Sequence, residues 1–269
     1  MILDKQWRIL TVGDGDLSFS YALHSLITKG QVTASTYDSE QTIEGKYQQH
    51  ALEQVKAANI TYLPSFDVTM PASWQRLAGQ KFDLVVFQFP LIPAFSDQQA
   101  FDKSTLSINT LNRALLRQFI DNACRFALDP NGPMLCYITS KDVKPYCEWD
   151  LEGSLMLNSK MQYIGQHPFN INQFPGYKIR NVERDKHVKD TSGITYAFTA
   201  KSNPSLEKQL IIPSYLEENH CSFCRAGPFH SQIDMQAHLD SKKHRMMQKH
   251  QQAWYQFLDD YHRKNSYNC

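Results

Sequence analysis

An α/β fold, a parallel sheet carrying helices on both faces, is what this sequence predicts, and three observations carry the prediction. Short apolar runs alternate with helical patterns from residue 8 to residue 139. The first run ends on Gly13 and Gly15, two glycines ahead of a helical stretch. Later runs end on Asp38 and Asp67, and in a sheet of this kind ligands bind beyond the carboxyl ends of the strands.

Residues 8–12 form the first strand, Gly13-Asp-Gly15-Asp16 the turn, and a helical pattern runs to Lys29 before Gly30 stops it. Residues 32–37 are β-rich and end on Asp38, after which a polar helical stretch reaches Ala58. Residues 60–63 lead to Asp67, and 82–87 form a fourth apolar run. Residues 105–128 have helical spacing, and 133–139 read as a fifth strand. From Pro145 to Ala200 the pattern loosens, with a last strand expected at 194–200. This region is expected to complete the sheet and shape the substrate side. The polar stretch 202–205 and the apolar 210–213 read as a linker, dividing the chain into a domain at 1–209 and a tail at 210–269. In the tail, Trp254, Tyr255, Phe257, Leu258 and Tyr261 have helical spacing and are expected to pack back on the core.

The 269 residues are 42% hydrophobic and 20% charged, with a net charge of +1, so attraction to a polyanion has to come from local patches. No apolar run approaches membrane-spanning length, and the N-terminus lacks the layout of a signal peptide. Cys124, Cys136, Cys147 and Cys269 form no disulfide framework, which fits a reducing, cytoplasmic location.

Cys221 and Cys224 are separated by two residues, then thirteen residues lead to His238, and five more to His244. Four such ligands converge on one tetrahedral zinc ion. The segment continues into Lys242, Lys243, Arg245 and Lys249, which suggests RNA or another nucleic acid as partner; a zinc staple with a solvated basic face accounts for the same residues. Cys221-Ser-Phe-Cys224, Phe229 and His238-Leu-Asp-Ser-Lys-Lys-His244 resemble the matrin-type zinc finger. That resemblance implies binding to structured or double-stranded RNA, read by shape and backbone.

The glycine turn lets the backbone approach a ligand, with helix amides behind it. A dinucleotide fingerprint wants a third glycine where this chain has Ser18, which disfavours NAD. Asp38 is placed to accept hydrogen bonds from an adenosine ribose, and Asp67 to meet the adenine amino group. Asp14 and Asp16 would repel a pyrophosphate and favour the ammonium and sulfonium of S-adenosylmethionine. Turn and helix-cap roles also suit these aspartates.

Gly13-Asp-Gly15-Asp-Leu-Ser-Phe-Ser20, Tyr37-Asp-Ser-Glu40, Lys46-Tyr47, Phe82-Asp-Leu-Val-Val-Phe-Gln-Phe-Pro90, Asn112 with Leu115-Leu116, Pro145-Tyr146 with Trp149, and Pro175-Gly-Tyr177 with Arg180 occur in order. Together they resemble the yeast-type large-subunit rRNA uridine N3-methyltransferase family over about residues 8–200. The resemblance implies a Rossmann-like class I methyltransferase sheet and S-adenosylmethionine as donor. Where the family has Asn-Phe-Pro-His, this chain has Gln88-Phe89-Pro90-Leu91. The Gln88 amide still suits a base edge, one methylene further out.

Gln88, Phe89, Pro90 and Tyr146 are the expected catalytic surroundings. Phe89, Tyr146 and Tyr177 are candidate stacking platforms for a flipped base, and Asp16, Asp142 and His167 are candidate bases. The reading is an S-adenosylmethionine-dependent RNA methyltransferase whose finger supplies affinity. The alternatives are an inactive methyltransferase-fold RNA-binding protein, an NAD-dependent oxidoreductase, and a methyltransferase of proteins or small molecules.

Overall fold

The computed structural model describes residues 1–93, 105–180 and 191–266; Cys269 lies outside the described residues. Seven strands form one sheet: β1 (Arg8–Val12), β2 (Gln31–Ser35), β3 (Thr61–Leu63), β4 (Leu84–Gln88), β5 (Leu135–Ser140), β6 (Gln162–Phe169) and β7 (Gly193–Thr199), in the order β3-β2-β1-β4-β5-β7-β6. The first five are parallel, while β7 runs antiparallel between β5 and β6. The expected parallel sheet is therefore closed by an antiparallel pair. β6 shows no apolar alternation because it is an edge strand, bulged between Tyr163 and Gly165, with Gly165 at φ 133°.

Alternate residues of each central strand enter opposite cores. On one face Ile9, Leu84, Val86 and Tyr137 pack with α1 (Ser18–Leu26) and α3 (Leu52–Ala57). On the other, Leu10, Val85, Phe87 and Ile138 pack with α4 (Pro71–Gln75) and α5 (Ile108–Asn122). The helical pattern after β2 is broken into α2 (Glu40–Lys46) and α3, because Tyr47 turns extended where the chain crosses the glycine turn. There the Ala51 amide donates to the Asp16 carbonyl at 2.8 Å.

Around residue 210 the chain still pairs with the sheet: Ile211 and Gln166 exchange backbone hydrogen bonds of 2.8 and 2.9 Å. After α6 (Pro204–Glu207) and α7 (Gln232–Leu239), the long α8 (Lys242–Ser266) returns to the body, with Trp254 fully buried and Leu258 buried in the same core as α5.

Candidate functional site

The order of the strands reverses between β1 and β4, and a cavity of about 630 Å³ opens beyond their carboxyl ends, within the size range of small-molecule sites. Gly13, Asp14, Gly15, Asp16, Asp38, Asp67, Gln88, Phe89 and Pro90 all line it.

Gly13 sits at φ 64°, where a side chain is strained, and a Cβ there would lie 2.5 Å from the Phe87 ring. At Gly15 a Cβ would meet the Tyr47 hydroxyl at 2.9 Å. Both glycines thus admit neighbouring aromatic rings as well as the turn. The amides at the start of α1 are already taken. Asp16 Oδ1 accepts from the Ser18 amide at 3.0 Å, and Asp14 Oδ2 accepts from the Ser20 amide and hydroxyl at 2.7 and 2.6 Å. The expected donor array for a ligand is absent, because the turn's own carboxylates cap the helix.

The acidic turn is also not a bare pair of charges. Asp16 Oδ2 pairs with Arg180 Nε at 2.5 Å, and the Arg180 guanidinium lies over the Tyr47 ring at 5.3 Å. Asp14 is buried; that burial, reinforced by the charge of Asp16 and opposed by the hydrogen bonds from Ser20 and Phe19, pushes its pKa up to about 7.

Asp38 Oδ2 accepts from Lys46 Nζ at 2.9 Å, so one oxygen is anchored on a lysine that itself lines the cavity. Asp67 Oδ1 accepts from the amide and hydroxyl of Thr69 at 2.8 and 2.7 Å, fixing that carboxylate at the rim. Tyr37, 55% exposed and quoted in the resemblance without a role, lines the same region and offers an aromatic face.

On the opposite wall the chain leaves β4 through Phe89 at φ 46°, a region disfavoured for a bulky residue. Its amide donates to the Thr139 carbonyl at 2.8 Å and its ring packs edge-on against Phe169 at 5.5 Å, so neighbouring structure holds the bend. The loop is tied further along, where Asn112 Oδ1 accepts from the Ile92 amide at 3.1 Å. At the bend, Gln88 is buried, and among the described residues neither Oε1 nor Nε2 has a partner. A buried amide with both atoms unpaired is costly without a ligand or water to meet it.

Tyr177 also lines the cavity, whereas Tyr146 does not: its ring packs on Trp149 at 5.0 Å. Tyr146 belongs to a core contact that proximity in sequence to the substrate side cannot reveal. Two proposed bases are likewise elsewhere. Asp142 is ion-paired with Arg225, and His167 is half-buried on the edge strand β6 with Nδ1 2.7 Å from the Pro168 carbonyl. Lys46, Tyr47 and Leu115, quoted in the resemblance without a role, and Leu111 and Gln118 reach the cavity from elements distant in sequence.

A second centre lies in the tail. One ligand atom from each of Cys221, Cys224, His238 and His244 lies within 4.8 Å of the other three. The two sulfurs lie 3.5 and 3.6 Å from His244 Nδ1. A tetrahedral zinc with ordinary Zn–S and Zn–N bonds sets such atoms about 3.5 Å apart, so the geometry fits the metal. His238 Nε2 is buried without a protein partner, and burial, with His244 and Lys243, lowers its pKa and keeps the ring neutral. Burial and Cys221 push the Cys224 thiol to about 12, so a metal has to displace its proton. Of the basic cluster, Lys243 is tied to the Cys224 carbonyl at 2.8 Å, while Lys242, Arg245 and Lys249 are exposed.

The profile of the BMT5-like family, rRNA (uridine-N3-)-methyltransferase BTM5-like, matches residues 10–181, more than half of the 269-residue chain. Heavy metal-associated isoprenylated plant protein 41 of Arabidopsis thaliana is 30% identical over 174 residues, which are 64% of this chain and 32% of that protein. The chain thus spans about a third of that relative. The uncharacterized protein At4g26485 of the same plant is 27% identical over 199 residues, covering 71% of this chain and 92% of its own. Among solved structures, ribosomal protein L11 methylase from Lactobacillus delbrueckii subsp. bulgaricus overlaps with a TM-score of 0.38 at 17% identity, over 73% of this chain and 71% of its own. The 30S ribosomal A1408 methyltransferase from an uncultured bacterium gives 0.40 at 12% identity, over 75% and 96%.

Proposed function

Since the chain belongs to the BMT5-like rRNA (uridine-N3-)-methyltransferase family, we propose that it methylates N3 of a uridine in ribosomal or other structured RNA, with S-adenosylmethionine as donor. The observation that carries the reading is the unpaired Gln88 amide, buried at the carboxyl end of β4 in the wall of the cavity that the aspartates following β1 and β2 also line.

The residues present fit the donor. Asp38, anchored on Lys46, would accept from the ribose hydroxyls, Asp67 would meet the adenine edge, and Asp14 and Asp16 would face the ammonium group. When bound, S-adenosylmethionine supplies a methyl group activated on a sulfonium. At the acceptor, N3 would lose its proton to solvent before the ring is enclosed; the N3–carbon bond would then form as the carbon–sulfur bond breaks, its electron pair remaining on sulfur. Loss of the proton spreads negative charge onto O2 and O4 of the base. Gln88 Nε2 would donate to one of these oxygens, which stabilises the developing anion without delivering charge of its own. Phe89, bent into the cavity wall, and Pro90 would position the ring and exclude water. The Cys2His2 cluster would hold zinc, in a reducing cytoplasmic setting that keeps its thiols available, and the exposed Lys242, Arg245 and Lys249 would bind RNA phosphates.

Leu91, where the family resemblance calls for histidine, favours one alternative: an inactive RNA-binding protein on the same fold. Tritium transfer from labelled S-adenosylmethionine into deproteinised large-subunit rRNA, followed by nucleoside chromatography, separates the two. Label in 3-methyluridine is the expected result. S-adenosylhomocysteine binding with no label in any RNA would replace the enzyme reading by the inactive one.

A further inference from the structure

The tail is braced against the catalytic body at two buried points. Arg225, next to Cys224, has its side chain only 13% exposed. Its guanidinium pairs with Asp142, just past the carboxyl end of β5, and with Glu152, itself 2% exposed, at 2.7 Å. It also donates to the Tyr196 hydroxyl at 3.1 Å and lies over the Tyr215 ring at 4.9 Å. The second point is on α8, whose first turn carries His244. Further along, Trp254 Nε1 donates to the Ser154 carbonyl at 2.9 Å, and the Trp254 ring lies under the Arg113 guanidinium at 4.5 Å. The metal cluster joins the two points, since Cys221 and Cys224 immediately precede the Arg225 anchor and His244 belongs to α8.

Arg113 is on α5, and Leu111, Ala114, Leu115 and Gln118 of the same helix line the cavity. Helix α5 therefore stands between the cavity and α8. Along α8, His244, Met247, Gln251, Trp254 and Leu258 form the buried face. Lys242, Arg245 and Lys249, spaced i, i+3, i+7, form an exposed stripe on which no carboxylate pairs among the described residues.

We infer that the docked α8 holds a duplex stem, bound along this outward stripe, at a fixed distance from the nucleotide in the cavity on the far side of α5, and that Arg225 is the positioning residue. The distance is about two helix diameters, roughly 20 Å. The inference rests on the RNA methyltransferase reading above. A module fixed at two buried points cannot follow the RNA, so the substrate has to present stem and reactive nucleotide at the matching separation.

The test uses the zinc-loaded full chain, tritiated S-adenosylmethionine and hairpin RNAs with one unpaired uridine at increasing distance from the stem. Transfer is expected to peak at one spacing and to fall about tenfold on either side. Lys242→Gln, Arg245→Gln and Lys249→Gln together should abolish that preference and flatten the salt dependence of hairpin binding. Arg225→Met combined with Glu152→Gln removes both charges, so neither is left buried alone. This variant should keep its zinc, its S-adenosylhomocysteine affinity and its hairpin affinity, yet lose the sharp spacing optimum. Equal transfer at every spacing by the unsubstituted protein overturns the inference and leaves the methyltransferase reading standing. No transfer into any RNA, with S-adenosylhomocysteine still bound, defeats that reading instead. Hairpin binding then decides the stripe, because an affinity and salt slope unmoved by the triple substitution remove it.

Discussion

Asp14 is buried behind the glycine turn, and its pKa rises from 3.8 to about 7. The fold therefore favours the protonated carboxyl: the associated stability is fully present below the unfolded value and is lost as pH rises through about 7. In ligand-free protein, the melting temperature of Asp14→Asn should fall less between pH 5 and pH 8 than that of the parent; parallel curves in a thermal scan would refute the assignment. A donor ammonium beside Asp14 reverses the preference, so S-adenosylhomocysteine should bind more tightly at pH 8 than at pH 6 in the parent and not in the variant. Asp38 is simpler. One oxygen holds Lys46 at 2.9 Å and the carboxylate faces the cavity. Loss of hydrogen bonds to a charged group costs about 1.5–3 kcal/mol, so Asp38→Ala should weaken S-adenosylhomocysteine about 10- to 100-fold by calorimetry, with the fold intact. Unchanged affinity would remove Asp38 from the ribose site. At this scale the sequence identified residue types and strand ends, but partners such as Arg180 on Asp16 and Lys46 on Asp38 come from other elements.

Helix α8 carries a metal ligand, His244, in its first turn and docks against α5 through Trp254, and these parts respond to different perturbations. Trp254 is fully buried, and truncating a buried Trp costs about 3–5 kcal/mol, so Trp254→Ala should lower the melting temperature by about 6 to 20 °C. A shift under 2 °C would mean that α8 is not docked in solution. The metal end behaves otherwise. The chain should carry one zinc by elemental analysis, released below neutral pH as the thiols regain their protons, and Cys221→Ser should lose it while Trp254 stays shielded from quenchers. Retained zinc in that variant would discount Cys221 as a ligand. The spacing of the four ligands was legible because a tetrahedral site constrains local sequence. Strand β6 was not, because an edge strand with a bulge at Gly165 carries no alternating pattern.

For the whole molecule, a ligand of the native state at about one hundred times its dissociation constant adds roughly 2.7 kcal/mol, and at about 2–4 °C per kcal/mol S-adenosylhomocysteine should raise the melting temperature by several degrees. NAD should leave it unmoved, since the α1 amides that would cradle a pyrophosphate are capped by Asp14 and Asp16. A shift with NAD alone would reverse the cofactor assignment. The sequence by itself determined the alternation of strands and helices, the glycine turn, the aspartates at strand ends and the metal-ligand spacing, because periodicity, turn chemistry and ligand geometry act over a few residues. Only the tertiary structure decided that β7 runs antiparallel, that Tyr146 and Asp142 leave the cavity, that Gln88 is buried unpaired within its wall, and that Arg225 and Trp254 brace the tail. Those outcomes depend on which distant side chains meet in the core, and local pattern carries no record of them.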